Sequence, residues 1–520
     1  MLHHRIKFKD SIARALLQIE KQYANNPALA IGNETYSYQK LFNLAKQLAA
    51  QLMYSKANRC LILSGRNVTA YVSLLGALLA GKAYVFLNTK ESALQLSQMI
   101  LLTKTDLLIV DDLCLPVLNE LISYLPMELT IVRLNQQRQF TMGRLDREDN
   151  LVDRLVDSYA PPENAYQYAY MMFTSGSTGK PKGVPISHKN LITFIDNVCD
   201  RIKPTVFDKF SHINELTFDF SVYEIFCCWF SGACLCVLPD NYLYGIDKYI
   251  NKHQITYWSS VPSVVQLLSQ LKKLDKENFQ SIRYSIFCGE ALTRDTAKRW
   301  KLAAPNTIVD NLYGPTEATV AITGYLWHEH DSDGVVPIGQ PFPGQGFYLV
   351  DELNQVVETG EIGEIYLCGD QVATEYWNNS EITRSRFTIF NGKPSYKTGD
   401  LALFDQKKGL IFKGRKDDQL KLNGYRVEKI DIENRIKTIL QTQAIAVVAL
   451  KDNVTDQVMS LMCFFSETDY LPQTAKKLCR KMLPHPMIPD EFIKLEALPY
   501  NKNGKIDYKV LMRGVVTKEV

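Results

Sequence analysis

The sequence predicts an α/β fold: a large N-terminal body of layered α/β sheets, a β-rich subdomain, and a small mobile α+β C-terminal domain. Three observations carry this prediction. A chain of 520 residues exceeds a single ordinary core, so two or more domains are expected. Up to about residue 410, periodic amphipathic segments alternate with short β-rich runs, the pattern of helices layered on largely parallel sheet. Over residues 339–368 the texture shifts to glycine, proline and alternating strands (GQPFPGQGFYLVDE, GEIGEIYLCGD), which marks a smaller sheet-rich unit.

Taken in order, residues 36–53 and 68–79 read as amphipathic helices, and 59–63 and 106–110 as strands. Residues 168–173 read as a buried strand opening into a loop. Ser187 then N-caps a helix with Leu191, Phe194, Ile195 and Val198 at helical spacing. The longest apolar stretch, 225–238, is broken by Ser231 and Gly232; it is too short to span a bilayer and is assigned to the core. Its Cys227, Cys228, Cys234 and Cys236 have the spacing of neither a zinc ribbon nor a redox pair, so buried free thiols are expected. A charged break, KGRKDD, precedes a tail with Ile432, Ile436, Ile439 and Leu440 on one helical face, strands at 444–450 and 458–465, and a helix around 475–482. The expected division is a core over 1–413, a hinge at 414–418 and a mobile lid over 419–520.

Charge narrows the function classes. The 59 basic and 56 acidic residues leave a net charge of +3 without a block of one sign, which offers no footing for nucleic acid and favours a small-molecule substrate. The basic N-terminus MLHHRIKFKDS is followed by no apolar segment of signal-peptide type, so a cytoplasmic protein without membrane insertion is expected.

The most informative segment is MMFTSGSTGKPKGVPISHKN, residues 171–190. Gly176, Gly179 and Gly183 let the backbone turn and approach a ligand; Thr174, Ser175, Ser177 and Thr178 offer hydroxyls; Lys180 and Lys182 add positive charge. Such a loop suits phosphate. Its spacing is not that of a Walker A loop.

The string TSGSTGKPKG resembles the phosphate loop of the adenylate-forming superfamily, which includes acyl-CoA synthetases, luciferases and the adenylation domains of peptide synthetases. Further motifs follow in that family's order: NLYGPTE (311–317), YKTGDL (396–401), GRKDDQLKLNGYRVEKIDIE (414–433) and NGKID (503–507). The resemblance implies ATP and Mg²⁺ as cofactors. It implies that Thr174, Ser175, Gly176, Ser177, Thr178, Gly179 and Lys182 handle phosphate, and that Asn311, Tyr313, Gly314 and Thr316 line the nucleotide site with Tyr313 on adenine. Glu317 is then the magnesium ligand, Asp400 the ribose ligand, Arg415 a nucleotide contact and Asp417 the pivot. Lys505 is the catalytic lysine bridging substrate carboxylate and phosphate oxygens. The chemistry is coherent: carboxylate attack on the α-phosphate joins two anions, so cations and hydroxyl donors must neutralise the developing charge, and no protein nucleophile is needed.

FDFS (218–221), followed by VYEIF, resembles one wall of the substrate pocket in amino-acid adenylation domains, where the aspartate pairs with the α-ammonium group. That makes Asp219 the discriminating residue, because a carboxylate facing an apolar pocket is costly unless paired. Carried over position by position, the pocket is Asp219, Phe220, Tyr223, Ser259, Ile286, Cys288, Leu312, Val320 and Ala321, with Lys505 closing it. The bulk of Phe220, Tyr223, Ile286 and Leu312 implies a small substrate side chain. FCGEAL with Cys288, and YGPTEATVAIT, also resemble the stand-alone D-alanine–carrier protein ligases, in which cysteine at that position favours D-alanine. Leu312 and Phe220 depart from that family by being larger than its usual residues.

The implied function is ATP-dependent activation of a small amino acid, D-alanine first, followed by transfer to the phosphopantetheine thiol of a separate carrier protein. Between the two steps the tail rotates about Asp417 and withdraws Lys505. With no carrier-serine motif after Lys505 and no condensation motif before the body, a free-standing enzyme is expected. Two alternatives stand beside it: a carboxylate–CoA ligase for a small acid, disfavoured by Asp219, and a non-catalytic nucleotide-binding scaffold, disfavoured by intact Lys505, Asp400 and Glu317.

Overall fold

The computed structural model describes residues 12–134, 140–145, 159, 161–162, 165–175, 181–239, 243–330, 334–417, 419–422, 424–452, 458–500 and 506–517. Two large sheets form the body. The first has nine strands in the order Gln340–Pro341, Thr323–Leu326, Ile308–Tyr313, Tyr284–Phe287, Tyr257–Ser260, Lys209–His212, Cys234–Val237, Pro27–Ile31, Glu34–Ser37. Its strands from Ile308–Tyr313 to Pro27–Ile31 are parallel, and the flanking ones antiparallel. The second has seven, in the order Phe140–Leu145, Leu129–Leu134, Leu107–Asp111, Arg59–Leu63, Ala83–Leu87, Tyr168–Thr174, Lys182–Ser187, again with a parallel interior and antiparallel edges. Strands buried on both faces explain the near-continuous apolar runs in the sequence, such as CLIL and AYVFL.

Residues 345–415 supply the β-rich unit, a five-stranded antiparallel sheet in which Lys393–Asp405 pairs with Ile362–Gly369, Phe387–Phe390 and Gly409–Arg415. It shares one continuous apolar cluster with the body, to which Ile365, Leu367 and Leu410 belong together with Leu75, Phe226 and Tyr257. Beyond residue 418, the hairpin Gln419–Leu422/Tyr425–Glu428 and the sheet of Ile445–Lys451, Val458–Phe465 and Glu491–Lys494 surround clusters of their own, with Ile432, Ile436, Val447 and Phe465 at the centre of one.

Local chemistry sets the element ends. Ser37 accepts a hydrogen bond from the Lys40 amide and caps the helix Tyr38–Leu52. Tyr36 therefore belongs to the preceding strand and not to the helix expected over 36–53. Ser187 caps His188–Ile202 in a full capping box with Asn190. The apolar stretch 225–238 splits into the end of helix Phe220–Phe230 and strand Cys234–Val237, with Gly232 taking a left-handed φ of 73° in the turn between them. Cys227, Cys228, Cys234 and Cys236 are free and buried. Among the described residues, no helix is long and apolar enough to cross a membrane.

Candidate active site

The principal cavity opens at the carboxyl ends of the parallel strands Tyr284–Phe287 and Ile308–Tyr313, the usual ligand position in open α/β sheets. It is walled by the strand Tyr168–Thr174, by the start of helix Phe220–Phe230, by Asp400 of the β-rich sheet and by the hairpin at 419–428.

Asp219 lies at the head of that helix, 7% exposed; its carboxyl makes no capping bond further into the helix but accepts from the Phe220 amide. Burial pushes its carboxyl up to about 7, opposed by a hydrogen bond from the Thr316 hydroxyl and reinforced by the nearby charge of Glu317. Around it stand Phe220, Cys288, Leu312 and Val320. The Cys288 thiol is pushed up to about 12, chiefly by burial, and stays protonated.

Four residues expected in this pocket do not line the cavity: Tyr223, Ser259, Ile286 and Ala321. Tyr223 is fully buried, its ring stacked on Phe220 at 5.6 Å and close to Phe210. Ser259 donates to Glu224 at 2.7 Å, in a buried network where Glu224 also meets His212 and Asn214. Ile286 belongs to the core cluster. Ala321 lies behind Gly314, where a Cβ would stand 2.6 Å from the Ala321 Cα. Phe220, stacked on Tyr223, and Leu312 line the cavity where these four do not.

The nucleotide side is a connected set. Tyr313 donates its hydroxyl to Asp400 at 2.7 Å, and Asp400 also pairs with Arg415. Arg415 reaches Asp417 at 2.7 Å, and Arg386 meets the same carboxylate. Asn311 is anchored through its amide NH₂ to the carbonyls of Val336 and Pro337, while its Oδ1, buried beside the cavity, has no hydrogen-bond partner among the described residues. An amino group on a bound base would satisfy it. Thr174 Oγ1 at the cavity wall is likewise buried without a partner among the described residues.

Glu317 sits one residue beyond the lining Thr316 and accepts from the Tyr376 hydroxyl at 2.5 Å; that hydroxyl in turn meets Tyr396 at 3.0 Å. Gly176, Ser177, Thr178 and Gly179 of the phosphate loop, its Lys180, and Lys505 lie outside the described residues. Their flanks are described: Ser175 lines the cavity and Lys182 is buried to 8% exposure.

Residues the sequence reading did not single out complete the wall. From the hairpin come Lys421, 5.7 Å from the Tyr313 ring centre, and Tyr425, stacked on Phe218 at 5.4 Å. Glu290 is buried and pushed up by desolvation; it accepts from the Ser263 amide and from the amide of Gly424. Gly424 (φ 83°) approaches so closely that a Cβ there would stand 3.4 Å from Phe218 and overlap Val261. The only trace of these contacts in the sequence is their place inside FCGEAL and KLNGYRVE.

The architecture and this cleft define an adenylate-forming enzyme. Residues 17–377 match the family model described as AMP-binding enzyme, and the chain belongs to that family. It is 32% identical over 452 residues to the D-alanine--D-alanyl carrier protein ligase of Listeria monocytogenes serotype 4b, covering 85% of this chain and 86% of that protein. It is 30% identical over 505 residues to Tyrocidine synthase 3 of Brevibacillus parabrevis, but spans only 7% of that protein's length, and 43% of Gramicidin S synthase 1 of Brevibacillus brevis. Among solved structures, the Vibrio cholerae adenylation domain AlmE in complex with glycyl-adenosine-5'-phosphate superposes with a TM-score of 0.85 at 29% identity, over 99% of both chains.

Proposed function

We propose that the chain activates a small amino acid, D-alanine first, as its aminoacyl adenylate with release of pyrophosphate. It then passes the aminoacyl group to the phosphopantetheine thiol of a separate carrier protein. An ATP-consuming step of this kind belongs in the cytoplasm. The observation that carries the reading is Asp219: a buried carboxylate among Phe220, Cys288, Leu312 and Val320 needs a cation beside it, and an α-ammonium group supplies one. Pairing would pull the Asp219 carboxyl back into its charged form.

In the first step the substrate carboxylate attacks the α-phosphate and the bond to the bridging oxygen of pyrophosphate breaks. Asn311 would read the adenine amino group and Tyr313 cover the ring; Asp400, positioned by Tyr313 and Arg415, would hold the ribose hydroxyls. Thr174 and Thr316 would donate to phosphate oxygens. Lys505 would neutralise charge between carboxylate and phosphate. Among the described residues no cluster of three metal-ligating side chains occurs. Mg²⁺, which commonly rests on one carboxylate plus substrate phosphates, therefore fits Glu317, a buried carboxylate steadied by Tyr376. When bound, the ion would neutralise phosphate charge.

The lid, taken as 419–520 pivoting at 414–418 about Asp417, is docked with its hairpin in the cavity wall. The described neighbours of Lys505 pack elsewhere: Ile506 joins the Ala444 cluster, and Tyr508 donates to Glu433 at 2.7 Å. The hairpin in the cavity wall supports the transfer step.

Glycine is the second reading, favoured by the bulk of Phe220 and Leu312 in the cavity wall, with Tyr223 and Ile286 not reaching it. Exchange of labelled pyrophosphate into ATP, with D-alanine, L-alanine, glycine, the remaining amino acids and simple acids, tests both. A response to unsubstituted acids alone would establish the CoA-ligase alternative, and no response with any acid the scaffold.

A further inference from the structure

The phosphate loop and the lid meet at one carboxylate. Glu428 immediately precedes the helix Lys429–Leu440, where a carboxylate would ordinarily cap its own helix, yet its side chain makes no such bond. It instead accepts from Gln419 at 2.9 Å and faces Lys182, with Glu428 Oε1 3.9 Å from Nζ. The lysine side chain is 9% exposed and the glutamate 11%. The Glu428 amide donates to the Ser175 hydroxyl at 3.1 Å. The lid thus places an anion and a backbone donor on Ser175 and Lys182, two described residues of the phosphate-loop string. The same docking brings Arg435 to Glu91 at 3.1 Å.

We propose that Glu428 is a positioning residue for the second half-reaction, a carboxylate that takes over the cationic side chain of Lys182 once pyrophosphate has left. The inference rests on the functional reading above, together with the phosphate-handling role that the family resemblance implies for Lys182. Two anions at one largely buried ammonium group repel each other with little screening. Pyrophosphate and the docked lid therefore oppose each other, and each weakens the other by the same factor. Docking for transfer then waits on departure of the leaving group, which keeps the carrier thiol out while the adenylate can still revert to ATP.

The test uses the full chain and magnesium pyrophosphate alone, so it stands or falls independently of which amino acid the exchange assay identifies. Calorimetry should find pyrophosphate bound about three- to tenfold more tightly by Glu428→Gln than by the native chain, with Glu428→Asp close to native. Equal or weaker binding by Glu428→Gln overturns the proposal, as does absence of pyrophosphate binding to the native chain. A second measurement leaves Glu428 in place: cysteines at Glu91 and Arg435 are linked by a short bis-maleimide, and pyrophosphate should slow the linking severalfold while AMP does not. An unchanged rate overturns the proposal equally.

Discussion

The two ends of the cleft are held in different ways. At the end proposed for adenosine, Tyr313, Asp400 and Arg415 are tied to one another, and Asn311 to the backbone at 336 and 337, within the sheets of the body and the β-rich unit. At the phosphate end, Ser175 and Lys182 find partners on a separate core, in Glu428 of the lid. The first is held within the body and its sheet; the second depends on residues 419–428 packing against the body, and the proposed movement of that segment would undo it. A cleft of this kind can keep a nucleotide in place while the chemistry beside it changes.

The sharpest way to break the comparison is at Lys505. Lys505→Ala should lower pyrophosphate exchange about 100- to 1,000-fold while leaving ATP binding largely intact; equal exchange in the variant would contradict its role. Next comes Asp219→Asn, expected to cost about 10- to 100-fold in kcat/KM for the amino acid. Burial holds the Asp219 carboxyl up at about 7 in the empty site, so kcat/KM for the native chain should fall as pH drops below about 7, and the variant should lose that limb. The stability of the empty protein carries the opposite sign. The native state holds this proton to higher pH than the unfolded chain does, so stability should decline as pH rises from the ordinary aspartate value towards 7. Denaturation midpoints of Asp219→Asn should not show that decline.

Gly424→Ala addresses only the assembled end. A side chain at φ 83° overlapping Val261 should slow single-turnover transfer to a carrier about tenfold with exchange unchanged; equal loss in both steps would refute separate control. The smallest effect is expected from Tyr376→Phe, which removes one hydrogen bond to Glu317 and should raise the magnesium requirement of exchange by about threefold.

Much of the site was legible where function resides in contiguous strings. YGPTE follows the carboxyl end of the strand Ile308–Tyr313, YKTGDL lies within the strand Lys393–Asp405, and their Tyr313 and Asp400, 87 positions apart, meet directly at the cavity wall. The pocket list was less legible. Asp219, Phe220, Cys288, Leu312 and Val320 reach the cavity, whereas Tyr223, Ser259, Ile286 and Ala321 do not. Whether a side chain reaches a cavity depends on what stands in front of it, and Phe220 before Tyr223, or Gly314 before Ala321, is a matter of packing between distant segments. The network that takes Ser259 joins residues 212, 214, 224 and 259. No local pattern announces it.

The sequence by itself determined the class of fold, the capped helices and buried strands, and the membership of the family, because periodicity, caps and motif strings are local properties of the chain. Only the tertiary structure decided that the hairpin at 419–428 presents Gly424 and Tyr425 to the cavity, and that Glu428 faces Lys182 from 246 residues away. The reason is physical. A charged run such as KLNGYRVEK is compatible with solvent on every side, and it acquires partners only when a second core is set against the first.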